Sequence, residues 1–150
     1  MLERFVAAQA PVYAQVEAEL SAGRKTSHWM WFIFPQLRGL GRSPTAQHFG
    51  IADLKEAEAY LRHPVLGPRL VACSEMVLAV EGRSAHAIFG TPDDLKLRSS
   101  MTLFSRAAPD AAVFGEVLAK YYDGQEDPAT LQLLGLAPRQ DAFRAGFRAR

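Results

Sequence analysis

Apolar residues recur along this chain at steps of three and four, and nowhere does the apolar–polar alternation of a strand persist. The pattern predicts an all-α protein, with no sheet beyond an incidental pair. Phe5, Gln9, Val12, Tyr13, Val16 and Leu20 share one face of the first segment. Pro11 has no amide proton, so a short turn is expected there, followed by a helix over residues 11–22 that Gly23 closes. Ser27 is the expected cap of a two-turn helix stopped by Pro35. Ser43-Pro44 opens a short helix to Phe49, and Asp53 caps one carrying Leu54, Ala57 and Leu61, which His63-Pro64 ends.

Leu66, Leu70, Cys73, Val77 and Val80 form the inward stripe of a longer helix over residues 65–80, and one further turn is expected over 84–89. Thr91-Pro92-Asp93-Asp94 reads as a strong helix start, because a cap hydroxyl, a preset φ and negative charge meet the amino-terminal dipole. That helix carries Leu97, Met101 and Phe104, which are expected to share one core with Trp31 and Phe32. Residues 110–122 repeat the amphipathic pattern, and Asp127-Pro128 opens a last short helix through Leu134. The sum is a single compact domain of about six to nine short and medium helices over residues 1–134. A basic tail follows over residues 135–150, where Arg139, Arg144, Arg148 and Arg150 alternate with Phe143 and Phe147.

Composition narrows the function classes. The chain has 150 residues, 49% of them hydrophobic and 22% charged, values of an ordinary globular domain. Seventeen basic against 16 acidic residues give a net charge of +1, so no global field gathers nucleic acid or an anionic bilayer. No apolar run approaches the ~18 residues of a membrane span. Cys73 is the sole cysteine, which excludes an internal disulfide and any multi-cysteine metal site. With no secretory signal pattern at Met1, the expected compartment is the reducing cytoplasm.

Two segments stand out chemically. Residues 25–36, KTSHWMWFIFPQ, are a dense aromatic block. Trp and Phe in a small helical domain first supply core, yet Trp29 and Trp31 with His28 and Gln36 at the rims also make a wall for a flat, nitrogen-rich ligand. Residues 89–104, FGTPDDLKLRSSMTLF, place Asp93, Lys96 and Ser100 on one helical stripe beside the core face. The plain explanation is a helix-starting acid with an i,i+3 ion pair. The functional one is that Lys96 and the hydroxyls of Ser99, Ser100 and Thr102 face a cleft and hold phosphate or ribose oxygens. His28, His48, His63 and His86 lack i,i+4 pairing, so no metal site is expected, and no fingerprint of a nucleotide-binding loop, a cofactor or a serine nucleophile is present.

These segments, together with residues 37–41 (LRGLG), Ala57, Tyr60, Leu61, His63-Pro64 and Leu66-Gly67, resemble the bacterial domain-of-unknown-function family 1810. The likeness spans nearly all of residues 3–134. It implies a compact, mainly helical domain and assigns no reaction. A calpastatin-like label is sometimes attached to that family, but this chain has neither the repeats nor the disordered composition of such an inhibitor. Asp94, Lys96, Met101, Phe104, Phe114, Leu118, Asp127 and Leu131 are also similar, in order and spacing, to the carboxy-terminal part of the NADAR superfamily. Its members act on ADP-ribose-type or nucleotide N-glycosidic bonds. The amino-terminal half does not share this second likeness, and no acidic catalytic residue is fixed by it.

Two expectations follow, of different classes. In the first, a nucleotide or ADP-ribose ligand stacks its base on Trp29 or Trp31, meets His28 and Gln36 at its polar edges and Lys96 at phosphate, while Asp93 or Asp94 stabilises a cationic ribosyl transition state. His28, Asp93 and Asp94 are then the catalytic candidates, and whether a bond is cleaved stays open. In the second, the protein is a non-catalytic helical interaction module whose partner surface is the tail.

Overall fold

A computed structural model describes residues 2–139. Among them the chain forms α1 (Glu3–Gln9), α2 (Tyr13–Ser21), α3 (Met30–Ile33), a 3-10 turn (Arg38–Leu40), α4 (Pro44–Phe49) and α5 (Leu54–Arg62). There follow α6 (Leu66–Ala79), α7 (Ala85–Phe89), α8 (Asp93–Ala107), α9 (Ala112–Tyr122) and α10 (Pro128–Leu134). No strand is present among the described residues, where a lone parallel bridge joins Leu37 to Ile51. The protein is an all-α, multi-helix domain. None of its described helices is long and apolar enough to cross a membrane.

The helix starts follow the side chains available to cap them. Ser43, Asp53, Ser84 and Asp127 each accept a backbone N–H from the first turn of the helix they precede, and Pro44 and Pro128 occupy positions whose amide hydrogen is not needed. The turn expected at Pro11 is present over residues 10–12, and the residues ahead of it form the regular helix α1, which buries Phe5 and Gln9 on one face. Two starts differ from the pattern-based expectation. Ser27 does not cap α3, which is one turn long, since its hydroxyl is bonded to Glu19 instead. Thr91 does not cap α8 either: Pro92 precedes that helix, and the Thr91 hydroxyl donates to the Asp94 carboxylate.

Helix α8 is the central element, packed on α5, α7, α9 and α10. Its stripe of Leu97, Met101 and Phe104 is wholly buried, and the Phe104 ring lies between Tyr60, 5.4 Å away, and Phe114, 5.9 Å away. Phe32 packs partly buried against this core, but Trp31 lies at the protein surface outside it, and Trp29 fills the interior position expected of Trp31. Gln9 brings a polar knot into the interior, donating to the Phe32 carbonyl at 2.8 Å and to the Tyr60 hydroxyl at 3.0 Å while accepting from Arg69 at 3.3 Å. Every bond joins α1 to another element, so the buried amide is satisfied and fixes how that helix sits. Helices α5 and α6 approach closely at Gly67, where a Cβ would stand 2.0 Å from the Leu61 carbonyl oxygen. Only glycine permits that contact.

Candidate functional site

The loop from α2 to α3 is organised around one buried acid. The Glu19 carboxylate accepts the backbone amides of Thr26 at 2.8 Å and Ser27 at 3.1 Å, the Trp29 indole N–H at 2.9 Å, the Gln15 amide at 2.9 Å and the Ser27 hydroxyl. Burial alone raises its pKa, but the bonds from Ser27, Gln15, Thr26 and Trp29 outweigh that and hold the carboxyl well below its ordinary range. Because Ser27 and Trp29 both turn inward to Glu19, the intervening His28 faces solvent. It makes no hydrogen bond to the described residues. Trp29 is 1% exposed with its N–H satisfied, so its ring offers no face to a ligand.

The two singled-out segments do meet, through Asp93. Its carboxylate binds the Lys25 ammonium at 2.8 Å and lies 3.8 Å from Lys96. Lys25 in turn sits 5.1 Å from the Trp29 ring centre, and Lys96 sits 4.8 Å from that of Trp31, both in range of a cation–π attraction. Asp94 faces another way. It accepts the Leu95 amide at 2.9 Å and lies 3.6 Å from the exposed His86 ring, whose Nδ1 is 3.0 Å from the Thr91 hydroxyl.

A recess opens between α3, α4 and the first turn of α8, with Trp31, Phe34, Gln36, Phe49, Gly50 and Lys96 in its walls. Counting its open mouth it holds about 250 Å³, but the enclosed part is only about 10 Å³, room for one water. The Gln36 carboxamide has no hydrogen-bond partner among the described residues. Thus the structure brings Trp31, Gln36 and Lys96 together, whereas His28 is not part of the lining.

The hydroxyls divide differently from the expectation of one cleft. Ser99 donates to the Leu95 carbonyl and to the Asp127 carboxylate at 3.0 Å, while Thr102 donates to the Arg98 carbonyl at 2.8 Å and accepts the Asp127 amide at 2.9 Å. Ser99 lies about 60° and Thr102 about 120° around α8 from Lys96, and both are bonded to Asp127 on the α10 side, where they lock the start of α10 in place. Ser100 does share the Lys96 stripe. It is fully buried, and its hydroxyl is the one buried side-chain oxygen or nitrogen among the described residues that has no partner. No group of three or more His, Cys, Asp or Glu side chains suited to a metal occurs among those residues.

Sequence reasoning overlooked Glu19 as an organiser of this region. The signal was present: Glu19 stands at the i+3 position from Val16 and beside Leu20, an acid on an inward stripe. Lys25 was visible only as part of the aromatic block, because its pairing with Asp93 spans 68 positions along the chain.

Comparison with known proteins fits this geometry to a family. No curated protein matches the chain. Among solved structures it is similar to the conserved hypothetical protein Rv1873 from Mycobacterium tuberculosis, at 60% identity, covering 91% of this chain and 97% of that one with a TM-score of 0.89. A family model described as "Protein of unknown function (DUF1810)" matches residues 1–134, and the chain belongs to that family.

Proposed function

We propose that the recess bordered by Trp31, Gln36 and Lys96 binds a planar, anionic small molecule of the nucleotide class. One observation carries this: the half-buried Trp31 indole lies under an ammonium 4.8 Å from its centre, beside a carboxamide with no hydrogen-bond partner among the described residues. A base is a flat π surface with hydrogen-bonding edges, and its phosphate is an anion. Trp31 supplies the stacking face, Gln36 both a donor and an acceptor for a base edge, and Lys96 the cation. The Lys96 ammonium now covers the indole, so a ligand takes that face as the lysine swings to the phosphate. The enclosed space is too small for a nucleotide to be swallowed, and the base lies across the mouth.

The reading is of binding rather than bond cleavage. Asp93 is neutralised between two ammonium groups and Asp94 is bonded to its own helix start, so neither carboxylate is free to face a developing ribosyl cation. Thermal-shift titrations with AMP, ADP-ribose and NAD, followed in parallel by tryptophan fluorescence, test the proposal. Binding raises the melting temperature by mass action and quenches Trp31, while buried Trp29 stays as an internal reference. The variant Trp31→Leu loses both effects. Absence of a shift across the panel overturns the proposal.

A further inference from the structure

The Lys96 ammonium has two holds, and neither is strong. It lies 3.8 Å from the carboxylate of Asp93, its i,i+3 neighbour on α8, and 4.8 Å from the centre of the Trp31 ring. The lysine side chain is 24% exposed, so water weakens both attractions. The same Asp93 carboxylate is held more tightly by Lys25, at 2.8 Å with a side chain only 7% exposed. When Lys96 leaves, Asp93 therefore keeps a partner and its place, and no carboxylate is left unpaired. Lys96 is a movable cover over Trp31, and the seat to which it returns is fixed.

The enclosed part of the recess, about 10 Å³, holds no base, so a ligand stacks only by taking the Trp31 face from Lys96. What that ligand offers the displaced ammonium decides whether it enters. We infer that Asp93 and Lys96 select nucleotides ending in a phosphate monoester, and turn away nucleosides and nucleotides whose phosphates all lie in a pyrophosphate bridge. The inference rests on the nucleotide reading of this recess and narrows it. A nucleoside brings no anion, so the ammonium would leave a carboxylate and a ring for water alone. Each bridging phosphate carries one negative charge, no more than the carboxylate that the lysine gives up, and the indole contact is lost besides. A terminal monoester carries about −1.5 to −2 at pH 7 on three acceptor oxygens. Only there does the ammonium gain more than it loses.

Dissociation constants for AMP, ADP-ribose and adenosine, read from quenching of Trp31 in the full-length protein, test the selection. Wild type is expected to bind AMP about tenfold or more tighter than either of the others. Lys96→Ala removes the cation, and AMP falls to the level of adenosine, within about threefold. Asp93→Asn keeps the side chain's shape and an oxygen for Lys25 but loosens the hold on Lys96, so ADP-ribose gains on AMP and the gap closes to about threefold. Each ratio is taken on one protein, so a loss of stability does not imitate it. ADP-ribose bound as tightly as AMP by wild type overturns the selection while leaving the nucleotide site standing. A preference for AMP that survives Lys96→Ala overturns it as well. If Asp93→Asn weakens all three ligands alike, Asp93 has a structural role alone and the selection is wrong. No binding of any of the three removes the selection together with the nucleotide reading.

Discussion

The indole N–H of Trp29 donates to the carboxylate of Glu19 across 2.9 Å in a fully buried position. The tryptophan supplies the ring that α7 packs upon through Phe89, and among the described residues the acid is the acceptor of that ring's N–H. The same carboxylate ties down the backbone at Thr26 and Ser27, so one side chain sets the course of the loop that leads Lys25 to Asp93.

Glu19→Gln places an amide N–H₂ against donors, and is expected to cost about 3 kcal/mol in chemical denaturation. The pH dependence has a definite sign. A carboxyl whose folded pKa is depressed contributes stability that is complete above its unfolded value near 4.5 and is lost as pH falls toward the folded one. Wild type should therefore lose stability steeply below pH ~4.5, and the Gln variant should have a shallower acid limb. Parallel limbs in the two proteins contradict the assignment.

Cys73 is expected to be inert in the folded state. Burial pushes its thiol pKa up to about 11, and its Sγ lies 3.8 Å from the Tyr13 hydroxyl. Labelling by a neutral thiol reagent at pH 8 should proceed only on unfolding. The raised value also means that the thiol's contribution to stability is whole below the unfolded pKa near 9 and declines as pH rises through 11. Fast labelling of the native protein sinks both statements.

Phe104→Ala is expected to destabilise by about 3–5 kcal/mol, since the ring is wholly buried between two aromatic neighbours that cannot close the gap. Urea denaturation measures it, and a loss under about 1 kcal/mol would mean that α8 turns another face inward.

The helical pattern was legible because it rests on local chemistry. Leu97, Met101 and Phe104 recur at helical spacing, and Ser43, Asp53 and Asp127 are followed by helix starts they do cap. What pattern could not settle was which of two adjacent aromatics goes inside. Trp29 and Trp31 have the same residue type two positions apart, and the decision falls to Glu19, ten residues away, which offers an acceptor to one and not the other. The hydroxyls of α8 were misread for the same kind of reason: Ser99 and Thr102 are claimed by Asp127, a partner whose place is visible only once α10 folds back onto α8. Local rules name the elements. Long-range partners decide which side chains remain free for a ligand.

The two lysines at Asp93 should part company when each is replaced. Lys25 is 7% exposed and bonded at 2.8 Å, whereas Lys96 is 24% exposed and 3.8 Å away, a separation at which an ion pair is worth little in contact with water. Lys25→Met keeps an apolar stem against Trp29 but leaves the Asp93 carboxylate with its weaker partner alone, and is expected to cost about 2 kcal/mol. Lys96→Met should stay within about 1 kcal/mol of wild type. Ligand binding reverses the order, because Lys96 borders the recess and Lys25 does not: Lys96→Met abolishes the nucleotide-induced thermal shift, and Lys25→Met retains it on a less stable protein. Equal stability losses for the two variants would show Lys96 to be a structural partner of Asp93, and would remove the cation on which nucleotide binding at Trp31 depends.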